Sequence, residues 1–220
     1  MITFKLNGQT VQGEEGQYIL QVAEKFGVDI PTLCHHKALE PGGMCRLCTV
    51  ELFDGRRRRY VTACNYPVWE GMEVNTDTEA VHQGRKLIVE LLLARCPEVP
   101  LLQKLAAQYG IEEPRFEKEN DTCILCGLCV RTCEKMGANA ISLTGRGVDM
   151  AVDTPFHIQT EACIACGACA TVCPTGHITL EKIRQHHTRR EAILIPSEYE
   201  MGLSGRKPVY VPYAQAVPNT

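Results

Sequence analysis

No apolar run in this chain approaches the roughly 20 residues that a membrane span needs. The leucine run, Leu91-Leu92-Leu93-Ala94, is bounded by Glu90 and Arg95. No basic excess advertises a nucleic-acid ligand, because net charge is -3 with 22% charged residues. Nothing matches G-x-G-x-x-G, since Gly145-Arg146-Gly147 lacks the third glycine, and there is neither a P-loop nor a nucleophile constellation. The N-terminal residues, Met1 to Leu6, lack a secretory h-region. The expectation is a cytoplasmic chain with reduced thiols and no active site of its own. Wholesale disorder is excluded as well, because 45% of the residues are hydrophobic. What abounds is cysteine, 13 in 220 residues, too many for one reactive thiol. A disulfide framework has little footing in a reducing compartment, so metal is the remaining use.

Eight of the cysteines form a repeat. Cys123, Cys126, Cys129 and Cys133 have the spacing C-x2-C-x2-C-x3-C, and Cys163, Cys166, Cys169 and Cys173 repeat it 40 residues later, with Pro174 trailing. This is the bacterial ferredoxin run, in which three close cysteines hold one [4Fe–4S] cluster and the fourth crosses to the other. One cluster is therefore assigned to Cys123, Cys126, Cys129 and Cys173. The second is assigned to Cys163, Cys166, Cys169 and Cys133. Zinc is the rival, since C-x2-C also serves zinc ribbons, but four cysteines at this spacing, used twice, fit zinc poorly.

The remaining group is Cys34-x10-Cys45-x2-Cys48-x15-Cys64. One isolated ligand, a close pair and a distant fourth form the [2Fe–2S] pattern. The first gap exceeds the x4 of plant ferredoxins and of the succinate dehydrogenase iron–sulfur subunit. With the loop Gly42-Gly43-Met44-Cys45-Arg46-Leu47-Cys48, it resembles the N-terminal part of the large iron–sulfur subunit of respiratory complex I. It also resembles the accessory domains of [FeFe] hydrogenases and the diaphorase small subunit of NAD-linked hydrogenases. Glycines there let backbone N–H groups approach the sulfurs. Those families carry a His-x3-Cys-x2-Cys-x5-Cys knuckle after a Leu-rich helix. Here Leu91 to Arg95 runs straight into Cys96-Pro97-Glu98-Val99-Pro100, so that cluster is absent, and Cys96 reads as a buried or remnant thiol, the alternative being a ligand shared with a partner subunit.

The expected fold class is α+β. Residues 1–78 read as a β-grasp [2Fe–2S] ferredoxin domain, with a strand at Ile2 to Leu6, an Asn7-Gly8 turn and a helix from Tyr18 to Phe26 ended by Gly27. Strands are expected at Thr49 to Phe53 and Tyr60 to Ala63, about the Asp54-Gly55 turn. Residues 79–114 read as a short helical bridge. One helix is capped by Thr78, with apolar positions Val81, Leu87, Ile88, Leu91 and Leu92, and another runs from Val99 to Tyr109. Residues 115–183 form the double [4Fe–4S] ferredoxin-like domain, in which Ile141-Ser142-Leu143 matches Ile178-Thr179-Leu180. Residues 184–220 read as an extended partner-docking tail that prolines keep from regular structure. Its segment from Gly202 to Pro218 resembles part of the flavin subunit of heterodisulfide reductases. Arg56 to Arg59 reads as a solvated hairpin, and His35, His36 and His82 are not expected to be ligands.

One [2Fe–2S] and two [4Fe–4S] clusters on one chain make a relay of one-electron carriers. The expected role is the electron-transfer subunit of a cytosolic oxidoreductase complex. The resemblance implies a flavoprotein that oxidises NAD(P)H, a hydrogenase, a formate dehydrogenase or a heterodisulfide-reductase-like protein as partner, and electron bifurcation in that company. The alternative is a free soluble polyferredoxin. A DNA-binding redox sensor lacks any helix-turn-helix or basic domain.

Overall fold

The computed structural model describes residues 1–155, 160–183, 192–194 and 210–212. Strand β1 (Ile2–Leu6) turns sharply into β2 (Gln9–Gly13). Asn7 and Gly8 both take positive φ, +50° and +81°, the conformation of a tight two-residue hairpin. Helix α1 (Ile19–Lys25) follows. The Gln21 side chain accepts from the Tyr18 N–H at 2.9 Å at its start, and Gly27 ends it in the left-handed region. Strands β3 (Thr49–Phe53), β4 (Arg58–Thr62) and β5 (Glu73–Asn75) complete a five-stranded sheet in the order β2-β1-β5-β3-β4. Within this sheet only β1 and β5 run parallel. Phe4, Leu6, Val11, Val50, Leu52 and Val74 pack with Ile19, Leu20, Val22 and Ala23 of α1 into one core. This is the β-grasp arrangement expected. Two strands, β2 and β5, carry too little alternation to stand out in the sequence.

The arginine run is less free than a solvated hairpin. Arg58 and Arg59 belong to β4, where Arg58 pairs with the buried Glu51 at 2.9 Å and Arg59 donates to the Tyr66 hydroxyl at 2.9 Å. Asp54 closes the turn by accepting from the Arg56 and Arg57 N–H groups at 3.0 and 2.9 Å.

Helix α2 (Glu79–Arg95) begins at Thr78, whose hydroxyl accepts from the Val81 N–H at 3.3 Å. Its buried face differs from the one that apolar counting suggests. Leu87 and Leu91 are 43% and 47% exposed, whereas Val81, Arg85, Val89, Glu90, Leu93 and Ala94 are buried. Two charged residues are buried because each meets a specific partner. Arg85 donates to the Thr49 carbonyl at 3.2 and 2.9 Å, and Glu90 receives Arg115 through its backbone N–H and both arms of the guanidinium at 2.7–2.8 Å. A doubly bonded Arg–carboxylate pair of this kind offsets the loss of water. Cys96 ends α2, and α3 (Pro100–Gln108) starts four residues later with Pro100 in its first turn, so the connection is too short for the knuckle.

Arg115 holds the Glu90 carboxyl well down, to about 2. The folded value lies below the ordinary 4.5, so the pair's contribution is complete above about 4.5 and fades as pH falls toward 2. Amide exchange of residues 111–121 is therefore expected to be faster in Glu90→Gln than in wild type at pH 7. The two should converge as pH drops through that window. A gap that persists at pH 2 would assign the effect to packing instead.

The second half turns on α4 (Leu128–Lys135) and the single-turn α5 (Ala168–Thr171), with β6 (Ser142–Thr144) paired to β7 (Ala151–Asp153). The repeat seen in the sequence holds through the helices and then breaks. β6 pairs within its own half, and Ile178 to Leu180 is not a strand but the approach to a helical turn. Most of the tail lies outside the described residues, including all of the segment likened to a flavin subunit but Tyr210–Pro212. Within it, however, β8 (Ala192–Leu194) and β9 (Tyr210–Pro212) form an antiparallel pair, where no regular structure was expected. The prolines do not prevent it, because Pro196 and Pro208 lie outside the ladder and Pro212 sits at its end.

Candidate metal centres

The first cysteine group brings together the loop between α1 and β3, which carries Cys34, Cys45 and Cys48, and the turn after β4, which carries Cys64. Cys34, Cys45, Cys48 and Cys64 are all buried. Cys34 accepts from the Cys45 N–H at 3.3 Å. The four thiols fall into two touching pairs. A hydrogen bond from the Cys45 thiol, with the backbone N–H groups of Cys45 and Met44, brings Cys34 down to about 5 against the pull of burial. Cys45 is pushed up as the donor. Cys48 is likewise raised as donor to Cys64, and Cys64 is lowered. In each pair the accepting sulfur is eased toward the thiolate and the donating thiol is held against it. The loop supports this with Gly43 and Arg46 at φ +60° and +62°, which turn backbone N–H groups inward. The donor set, its burial and the inward N–H groups fit a [2Fe–2S] cluster, which Cys34, Cys45, Cys48 and Cys64 would hold.

Cys123, Cys126, Cys129 and Cys173 line one cavity, with Ile124, Gly127, Val152, Thr175, His177 and Ile178. Burial raises Cys123, Cys126 and Cys129, the last to about 12. Cys173 is lowered despite its burial, by the backbone N–H groups of Ile178, Thr175 and His177 and the Thr175 hydroxyl. On the other side, the charges that act on Cys169 are those of Cys166, Cys133 and Cys163, and Cys133 accepts from the Ala140 N–H at 3.2 Å. Cys173 thus shares one cavity with the first triad, and Cys133 lies near enough to Cys169 for its charge to act there beside those of Cys163 and Cys166. The two triad loops share one backbone shape. Leu125 and Ala165 stand at φ +52° and +55°, and Gly127 and Gly167 at +66° and +75°. Non-glycine residues rarely adopt this conformation, and its repetition at matched positions turns successive N–H groups toward the sulfurs. Among the described residues no three His, Cys, Asp or Glu side chains close around one ion. Cluster cysteines bind different irons of a multi-iron core, at most two to one iron, so no three of them need close around a single ion.

The surroundings of the two triads differ. Ile124 is 6% exposed and Cys126 is buried, whereas Ile164 is 62% exposed and Cys166 lies open. The first triad is covered by a core that draws on Leu33, Cys34, Cys45 and Leu47, on Val89, Leu93, Cys96 and Leu102 of the helical segment, and on Ile124, Cys126 and Leu128. Cys96 lies inside this core, with burial pushing its thiol up to about 12. His35 borders Cys34, and His36 accepts from the Ala38 N–H. His82 stacks on Tyr109 with ring centroids 5.1 Å apart.

Three functional residues carry no mark in the sequence. Arg95 donates to the Cys123 carbonyl at 2.9 Å and to Asp121 at 2.7 Å, and the other Asp121 oxygen accepts from the Thr122 and Cys123 N–H groups. Arg131 reaches from α4 to the carbonyl of Cys34. No local pattern singles out these residues, since Arg95 and Asp121 meet across 26 positions and Arg131 reaches Cys34 across 97.

Comparison with known proteins agrees with this geometry. Residues 1–79 match the 2Fe-2S iron-sulfur cluster binding domain, and residues 118–180 match the 4Fe-4S dicluster domain. A chain of an NAD+-reducing [NiFe]-hydrogenase in the H2-reduced state matches with a TM-score of 0.62 at 30% identity, covering 70% of this chain and 74% of that one. This chain belongs to that family of iron–sulfur subunits. The subunit is also 31% identical over 206 residues to the mitochondrial NADH-ubiquinone oxidoreductase 78 kDa subunit of Neurospora crassa, covering 81% of this chain and 27% of the relative. To the NADPH-Fe(3+) oxidoreductase subunit alpha of Geobacter sulfurreducens it is 32% identical, over 70% of this chain and 21% of the relative. The subunit thus spans about a quarter of the length of the curated relatives it matches. Its relatives work in iron–sulfur electron transfer within NAD-linked complexes. Among the described residues no helix is long and apolar enough to cross a membrane.

Proposed function

We propose that this chain is the electron-transfer subunit of a cytoplasmic, NAD-linked oxidoreductase complex. It relays single electrons between a flavin- or NAD(P)H-type partner and a second redox subunit, such as a hydrogenase, a formate dehydrogenase or a heterodisulfide-reductase-like protein, with electron bifurcation as the setting. The proposed ligands are Cys34, Cys45, Cys48 and Cys64 for one [2Fe–2S] cluster. Cys123, Cys126, Cys129 and Cys173 hold one [4Fe–4S] cluster, and Cys163, Cys166, Cys169 and Cys133 hold the other. Each cluster, when bound, takes up and releases one electron. The chain's own residues do the rest. Leu33, Leu47 and Leu128 keep water from the first two sites, backbone N–H groups stabilise negative charge on the sulfurs, and Arg95 fixes the Cys123 loop through its carbonyl.

The observation that carries this reading is the graded burial of the three sulfur sets. The first and second share one apolar core, and the third opens to solvent at Cys166. An internal pair with an open third site suits a relay that hands electrons to another protein. Anaerobically purified chain is expected to carry about ten irons, with one [2Fe–2S] and two [4Fe–4S] signals in redox-titrated EPR spectra. In native extract it should run in a larger complex. Migration near 24.4 kDa would favour the free polyferredoxin, and iron near four per chain would overturn the three-cluster reading.

A further inference from the structure

The two halves of the ferredoxin repeat differ at positions where only the first carries a cation. Arg131 and Lys135 lie on α4, and the residues 40 positions later are Thr171 and Thr175. Both cations reach out of their own half. Lys135 donates to the Ala38 carbonyl. Arg131 donates to the Glu40 carbonyl at 2.5 Å, the Cys34 carbonyl at 2.6 Å and the Cys126 carbonyl at 3.4 Å. Its guanidinium thus spans backbone carbonyls of two cysteines, one from each of two sulfur sets. Its Nε is buried and makes no hydrogen bond.

Two glycines shape this contact. A Cβ on Gly42 would stand 3.0 Å from the Arg131 Cζ, and one on Gly127 would stand 3.0 Å from the Met44 Sδ. Each side thus opens a gap for a side chain from the other. Gly42 makes room for the guanidinium, a role separate from that of Gly43, which supplies the positive φ.

We propose that Arg131 is a positioning residue that locks the Cys34 loop to the Cys126 loop and sets the potentials of both clusters. The proposal rests on the ligand sets proposed above. The planar fork fixes how the two loops sit, and so the path length for an electron between them. Its fixed positive charge favours the reduced, more negative form of each cluster. Thr171 supplies neither fork nor charge to the third site.

The experiment compares wild type, Arg131→Met, Arg131→Lys and Gly42→Ala, each purified anaerobically as the full chain. Iron is counted, midpoint potentials are read from the [2Fe–2S] and [4Fe–4S] EPR signals, and spin–spin broadening between the two reports their distance. Wild type without those signals would bring down the ligand reading itself. Given those signals, Arg131→Met is expected to shift the midpoints of the [2Fe–2S] cluster and one [4Fe–4S] cluster to more negative values, leaving the third unmoved. Arg131→Lys keeps the charge and should restore the midpoints in part, with the broadening still altered. Gly42→Ala leaves every ligand and charge in place while displacing the guanidinium, so it covers the case in which Arg131→Met fails to retain iron. It should shift the same two midpoints. Wild-type midpoints and broadening in Gly42→Ala and in iron-replete Arg131→Met would overturn the proposal. So would equal shifts at all three clusters.

Discussion

Cys173→Ser is expected to remove the [4Fe–4S] cluster whose other ligands are Cys123, Cys126 and Cys129, and to leave the one beside its own triad. Cys133→Ser should do the reverse. Each variant should fall from about ten irons per chain to about six, with the [2Fe–2S] signal intact. The reason is spatial. Cys173 lines the same cavity as Cys123, Cys126 and Cys129, and its sulfur is surrounded by the backbone N–H groups of Ile178, Thr175 and His177, which favour the thiolate. Cys133 acts on Cys169 together with Cys163 and Cys166. The two losses are distinguishable because the sites differ in exposure. The cluster near Cys166 should react faster with an aqueous oxidant, so Cys173→Ser should leave the fast-reacting cluster and Cys133→Ser the slow one. The opposite pattern would mean that each run keeps its own fourth cysteine. Cys96→Ser serves as the control. Its thiol is buried in the shared core and sits outside all three proposed sets, so every cluster signal should remain.

The second large effect is on stability. Leu102 of α3 is fully buried in the core shared by Cys34, Cys45 and Cys126. Truncation to alanine removes three carbons from a packed site and costs about 2–5 kcal/mol, a large part of the roughly 5–15 kcal/mol that holds a typical domain. Cluster loss makes unfolding irreversible, so the readout is the rate at which cluster absorbance disappears in denaturant. Leu102→Ala should speed that loss strongly. Leu87→Ala, on the exposed face of α2, should stay within about 0.5 kcal/mol of wild type. Equal rates in the two variants would show that the shared core does not hold the cluster sites.

What the sequence determined by itself was whatever depends on short chain geometry. A C-x2-C-x2-C loop can wrap a cluster only in a narrow set of backbone shapes, and the same shape recurs at Leu125 and Ala165. The β1 strand with its Asn7-Gly8 turn, the Thr78 cap and the Gly27 helix end belong to the same class, because each is decided within a few residues. The positions of Cys133 and Cys173 came from a rule about chain crossing, and only the packed structure shows which sulfurs neighbour each. Tertiary structure alone decided three further matters. It turned Leu87 and Leu91 outward and buried Arg85 and Glu90, because a carbonyl of β3 and the side chain of Arg115 stood ready to meet those charges. It gave Gly42 its reason in Arg131, a residue 89 positions later. It also buried Ile124 and Cys126 in one triad and left Ile164 and Cys166 of its repeat exposed, although Cys123 to Cys129 and Cys163 to Cys169 are nearly the same sequence. Two like segments acquire different surroundings only when the rest of the chain packs against one of them, and that choice is absent from local spacing.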